Sequence, residues 1–310
     1  MRFEGSGAGM AQELIGILAA LASAATWAAG ALLLKPFAER LPAMALAFAK
    51  GVFSLIVLCA LILLAQPAAP SWMTAAVLFS SGILGIGVAD TLFFKALRAL
   101  SSHSVVQLML LGQVATIIMA VAFLGERLVW LQWGGLGLVI LGVALVLLDP
   151  EPGAEEGEGR ATARGVLFGL GSVLAMAFSV TLAKGALAET DALTATWWRM
   201  AGGVVSLFVS APMFYLGAGN WLTPLVADWR LAICFCLIAT LVALGGFFLS
   251  LVAMKWTPLA IANTLLSTEP LFVLLITFLV YHQIPSRRRL AGSLIGVVGV
   301  AVLSVRTLLN

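Results

Sequence analysis

Long apolar runs of about 20 residues, almost free of charge, alternate along the chain with short polar or aromatic breaks. Ten such runs start near Leu14, Pro42, Met73, Ser101, Leu128, Gly165, Ala192, Trp229, Pro258 and Arg289. A helix of that length crosses the hydrocarbon core of a bilayer, so the pattern predicts ten transmembrane helices. Most runs end at a charge, a proline or an aromatic, as at Lys35-Pro36, Gln66-Pro67, Lys95, Gly125-Glu126-Arg127, Leu148-Asp149-Pro150, Lys184, Lys255 and Tyr281-His282. Runs such as Leu136 to Leu148 lack the alternating polarity of a barrel strand. Lipid cannot satisfy open backbone groups, which leaves helices. The first run, to Leu34, is read as a span and not as a cleaved signal. Its leading stretch sets one arginine against Glu4 and Glu13, and its core is too long.

Composition narrows the class. Of the 310 residues, 62% are hydrophobic and 10% charged, against roughly a quarter charged in soluble domains. A mean hydropathy of +1.11 excludes a water-soluble globular protein and a disordered chain. The net charge of +3 defines no basic patch, so no nucleic-acid partner is expected. Cys59, Cys234 and Cys236 lie in apolar runs, and Cys234-x-Cys236 lacks metal-site spacing. Neither a metal nor a cofactor is expected. The chain contains no HExxH, no GxSxG and no phosphate-cradling GxxxxGK[ST]. The chain is therefore not expected to hydrolyse ATP itself.

The segment 149–164 differs from the rest. It reads DPEPGAEEGEGRATAR and has the composition of a solvated linker. It separates residues 1–148 from 165–310, with five predicted spans in each part. The two parts resemble each other. Lys50 follows Lys35 by fifteen residues, and Arg199 follows Lys184 by fifteen. Gly135 and Gly142 correspond to Gly292 and Gly299, and Arg98 to Lys255. The offset is 149 at the front of the halves and 157 at the back, the longer connection 217–229 absorbing the difference. An odd span count inserts the second repeat upside down relative to the first. The expected fold is thus all-α and polytopic, ten helices arranged as two inverted five-helix repeats. That is a common build of secondary transporters.

Three motifs carry a family resemblance. Pro42-(x7)-Lys50 lies in the second span. Ala122-Phe123 leads into Leu124-Gly125-Glu126-Arg127-Leu128, with Gln132 and Gly135 after it. Glu269-Pro270 lies in the ninth span. In this order they resemble EamA-type carriers of the drug/metabolite transporter superfamily, over about Leu14 to Leu303. The resemblance implies a cavity between two bundles, export or exchange of small metabolites, often amino acids, and multi-pass residence in the plasma (inner) membrane. Two positions depart from internal symmetry: Gln113 stands where the ninth span has Pro270, and His282-Gln283 where the first repeat has Gly125-Glu126.

Charges inside the spans mark the candidate pathway. Lys50, Asp90, Arg199 and Glu269 all fall in apolar runs. A charge at mid-membrane costs roughly 2.5–3.5 kcal/mol on insertion scales, so four facing lipid would cost about 10–14 kcal/mol. They are expected to face the bundle interior, as a substrate or ion path or as buried pairs. Lys50 and Arg199 suit an anionic group. Glu269, and secondarily Asp90, suit a proton or a substrate amine, with the proton as coupling ion. Pro270 cannot donate to the carbonyl four residues earlier, so a helix break or kink is expected there. Gln107, Gln113 and Thr264 lie on the fourth and ninth spans, either to bind a zwitterion or to hold helices together. Trp27 either stacks on substrate or packs in the core. Glycine-rich fifth and tenth spans read as structural, packed within one subunit or forming a homodimer surface.

Loop charges set orientation. With the N-terminus inside, five Lys and Arg would lie inside and ten outside, which favours both termini outside. The resemblance implies both termini in the cytoplasm. The alternatives to a carrier are a lipid-linked-intermediate flippase, a passive pore, and an intramembrane enzyme built on His103 or His282.

Overall fold

The computed structural model describes residues 7–112, 114–115, 130–149, 162–187, 189–215, 228–257 and 259–309. Its described residues form helices: α1 (Gly7–Arg40), α2 (Ala43–Ala65), α3 (Trp72–Gly82), α4 (Asp90–Ala99), α5 (Ser102–Met109), α6 (Trp130–Leu147), α7 (Ala163–Leu187), α8 (Ala192–Tyr215), α9 (Trp229–Leu241), α10 (Leu249–Trp256), α11 (Leu259–Leu266), α12 (Glu269–Tyr281) and α13 (Arg287–Leu309). Seven-residue π-helical stretches, Ile83–Ala89 and Val242–Phe248, join α3 to α4 and α9 to α10. Among the described residues all regular structure is helical, and the protein is polytopic.

Among the described residues, seven helical stretches are long and apolar enough to cross a membrane: Gln12–Arg40, Ala43–Ala65, Trp72–Ala99, Trp130–Leu147, Ala163–Ala183, Trp229–Trp256 and Thr264–Tyr281. The helices α8 and α13 stand at the seventh and tenth apolar runs. The fourth run begins as α5, and its remainder, with Gln113 and the motif around Gly125, lies outside the described residues.

Local sequence explains several helix starts. Ser71 and Ser101 each accept a hydrogen bond from the backbone N–H three residues on, and Asp228 accepts from Arg230 and Leu231. Such caps satisfy N–H groups that have no partner inside the helix. The bundle places small residues inside and large ones outside. In α1, Ala20, Ala24, Ala28 and Ala31 are buried while Leu14, Leu18 and Leu33 are exposed. Lipid is as apolar as leucine, so small residues that let backbones approach drive the packing.

Among the described residues, the most extensively packed helix pair is α6 with α13. A Cβ added to Gly142 would lie 2.5 Å from the carbonyl oxygen of Gly292, and one added to Gly135 would lie 2.9 Å from that of Gly299. The glycine-rich fifth and tenth runs therefore pack on each other within one chain. At one end of the bundle the Lys35 Nζ donates to the carbonyls of Leu97 and Leu100, satisfying the end of α4. Arg289 pairs with Asp149 at 3.2 Å, and the Ser286 hydroxyl donates to the same carboxylate. Two of the ten cations on the charge-rich side are thus held by structural partners.

Candidate functional site

Three buried charges from α2, α4 and α8 meet in the bundle interior. The Lys50 ammonium forms an ion pair with the Asp90 carboxylate, and both residues are 2% exposed. Lys50 also lies over the rings of Phe94 and Phe247, at 5.6 and 4.9 Å from their centroids. An aromatic face attracts a cation, so these rings replace part of its lost hydration. The Arg199 guanidinium donates to the Ser81 and Ser179 hydroxyls, each at 3.1 Å. The Asp90 charge also acts on Arg199.

Backbone contacts hold these groups in place. Asp90 follows directly on the π-helical stretch, whose glycines face α7 and α8. A Cβ on Gly82 would lie 1.9 Å from the Arg199 carbonyl oxygen, and one on Gly85 would lie 2.3 Å from the Ser179 hydroxyl. A Cβ on Gly202 would lie 2.1 Å from the Phe79 carbonyl oxygen. The helices therefore touch backbone to backbone where the charges meet. Such π stretches are frequent at functional sites, and the Asp90 that follows this one pairs with Lys50 of α2. Trp27 completes the cluster, its ring 4.6 Å from Phe247 in an edge-to-face arrangement.

The charges do not balance. Lys50 and Arg199 supply two positive charges, and among the described residues Asp90 is the carboxylate that acts on both. Burying an unpaired charge is costly, so the cluster favours a further anionic group.

The other candidate residues stand apart. Gln107 is fully buried and committed to α13: its Nε2 donates to the Gly292 carbonyl and its Oε1 accepts from the Ser293 hydroxyl. His103 lies 3.3 Å from the same Ser293 hydroxyl through Nε2, while its Nδ1 has no hydrogen-bond partner among the described residues. His282 is exposed and ends α12 in the left-handed conformation. Helix α11 ends at Leu266, and Ser267-Thr268 forms a turn. Glu269 then opens α12, with Pro270 in its first turn. The helix is interrupted there, and Pro270 occupies a position that needs no N–H. This differs from a proline leaving an open carbonyl within a continuous helix. Glu269 is half-buried, and among the described residues it forms no ion pair or hydrogen bond. Thr264 is half-buried in α11. Gln113 lies outside the described residues.

Ser81, Ser179, Phe94 and Phe247 were not apparent from the sequence. Phe247 lies 157 residues after Asp90, so the internal offset makes it the position equivalent to Asp90, a signal that could have found it. The two serines carry no signal that separates them from the other small residues of their helices.

A cavity of about 870 Å³ lies elsewhere, between the start of α2, the α3–α4 segment, α7 and α8. Lys95, Arg98 and Arg164 line one end of it. Trp27, Lys50, Asp90, Arg199, Gln107, Thr264 and Glu269 do not line it.

Comparison with known proteins places this architecture. A family model described as the EamA-like transporter family matches residues 14–148 and 163–305. An uncharacterized transporter of Archaeoglobus fulgidus is 31% identical over 146 residues, which cover 46% of this chain and 51% of that protein. The chain thus spans about half the length of this curated relative. A solved crystal structure overlays with a TM-score of 0.58 at 15% identity, covering 96% of this chain and 98% of that one, which is a likeness of fold alone.

Proposed function

Because the chain belongs to the EamA-like transporter family, we propose that it is a secondary carrier exporting or exchanging small polar or amphiphilic metabolites, amino acids foremost, by alternating access across the plasma (inner) membrane. The observation that carries this reading is the surplus positive charge of the Lys50–Asp90–Arg199 cluster, buried where α2, α4 and α8 meet. A substrate carboxylate would neutralise that surplus. Trp27 and Phe247 offer an apolar wall beside it. Glu269, at the start of a broken ninth span, is the group for a proton or a substrate amine. A helix interrupted within the membrane is a common element of transporter sites.

Reciprocal contacts support two inverted five-helix repeats, with five spans on each side of the linker. The Ser23 hydroxyl donates to the Gly246 carbonyl and the Ser172 hydroxyl to the Ala89 carbonyl, both at 2.8 Å. The offset of 149 relates Ser23 to Ser172, and the offset of 157 relates Ala89 to Gly246. The glycines repeat this exchange. Gly135 meets Gly299 and Gly142 meets Gly292, while the sequence matches Gly135 with Gly292 and Gly142 with Gly299. Crossed pairing of this kind is what a twofold relation between two repeats produces.

The test is efflux from proteoliposomes loaded with a metabolite extract, followed by mass spectrometry with and without a pH gradient. Selective loss of carboxylate-bearing metabolites is expected, with Arg199→Gln abolishing it while the protein stays folded. Equal movement of an amino acid and its amide would overturn the role of the cation cluster. Unselective loss would make the protein a pore.

A further inference from the structure

The cavity between α4, α7 and α8 has two unlike ends. At one end stand Lys95 and Arg98, in the last two turns of α4, and Arg164, in the first turn of α7. Lys95 and Arg164 flank the ring of Phe168, at 5.4 and 5.6 Å from its centroid. Among the described residues no carboxylate lines the cavity, and none of these three cations forms an ion pair. Away from them the walls are apolar, with Ile83, Val88, Leu92 and Leu207. The hydroxyls of Thr91, Ser206 and Ser210 are spent on carbonyls of their own helices, those of Gly87, Gly203 and Ser206. They present little polarity to an occupant.

Depth and exposure describe that occupant further. The lining runs from Ile83, near the middle of the Trp72–Ala99 span, to Arg98 at its end. Fifteen residues of helix rise about 22 Å, which is about half the thickness of a bilayer with its headgroups. Val88 is 43% exposed on the wall, and Phe208 and Val209 beside the cavity are 68% and 67% exposed, so the groove is open on its lipid side. An occupant matching this surface has an anionic head at membrane-surface depth and an apolar tail reaching toward the midplane.

We infer that this groove is a binding site for an anionic phospholipid of one leaflet, with its phosphate held by Lys95, Arg98 and Arg164 and an acyl chain laid along Val88 and Leu92. The phosphate supplies the counter-charge that the three cations do not find among the described residues. The apolar walls need no hydrogen bonds from the tail. The site is separate from the Lys50 cluster, so the inference holds whatever the carrier moves.

The full-length protein, purified and exchanged into equimolar phosphatidylglycerol and phosphatidylcholine, is examined by native mass spectrometry. Retention of phosphatidylglycerol over phosphatidylcholine by about tenfold is expected from several basic contacts to one phosphate. The triple variant Lys95→Gln/Arg98→Gln/Arg164→Gln should bring the two lipids to parity, while Arg287→Gln/Arg288→Gln should keep the preference. Val88→Trp fills the tail groove with every cation in place, and it should also lower phosphatidylglycerol retention if the triple variant does not fold. Equal retention by the natural sequence overturns the inference, as does a preference that survives both groove variants. Displacement of the bound lipid by millimolar glycerol 3-phosphate would show that the cations take a soluble anion, which also overturns it.

Discussion

Lys50 and Asp90, forty residues apart in sequence, form an ion pair in which both side chains are almost wholly buried. The pair does not stand alone, because Arg199 feels the same carboxylate. This asymmetry dictates how single substitutions differ.

Asp90→Asn leaves two buried cations without a carboxylate, whereas Lys50→Met leaves Asp90 with Arg199. Removing one partner of a buried pair costs about 3–5 kcal/mol. Asp90→Asn should therefore be the more destabilising of the two, and the double variant Lys50→Met/Asp90→Asn should be more stable than Asp90→Asn alone. Thermal unfolding in detergent checks the order. Loss of transport in the double variant, despite recovered stability, would mark the pair as part of the pathway; full transport would reduce it to a structural contact.

Gly82→Ala places a methyl group 1.9 Å from the Arg199 carbonyl oxygen, which is backbone and cannot rotate away. Overpacking of this kind costs typically about 1–3 kcal/mol. The variant should melt lower and lose transport together, since the same contact positions Arg199. A melting temperature equal to that of the natural sequence would show that α3 and α8 are not held this closely.

Gly142→Val should separate α6 from α13, because a Cβ there already lies 2.5 Å from the Gly292 carbonyl oxygen. These helices contribute none of the Lys50 cluster. Stability should fall while the relative rates for different substrates stay unchanged in whatever protein remains folded. A changed substrate ranking, read from efflux assays on a metabolite mixture, would tie this helix pair to selectivity.

Glu269→Gln keeps the shape of the side chain and removes its titration. Transport rates measured across pH should lose their dependence on a proton gradient while protein level is normal. An unchanged pH profile would remove Glu269 from the proton role.

Composition and run length were enough to determine that this chain lives in a membrane as a bundle of helices. Burying a helix in lipid requires only that each stretch of about 20 residues be apolar, which is a local property. The internal offsets were legible too, since Lys50 and Arg199 recur at matching places. The four mid-span charges stood out for the same reason: a charge in hydrocarbon is costly enough to be visible in any single sequence. Which charges meet was not legible. Lys50 with Asp90, Arg199 with Ser81 and Ser179, and Gln107 with α13 depend on which face each helix turns inward. In lipid that choice comes from close packing at glycines such as Gly82 and Gly142, and not from a division into polar and apolar faces. The lipid-facing groove depended on the same packing, because Lys95, Arg98 and Arg164 share one site only once α4 and α7 lie side by side.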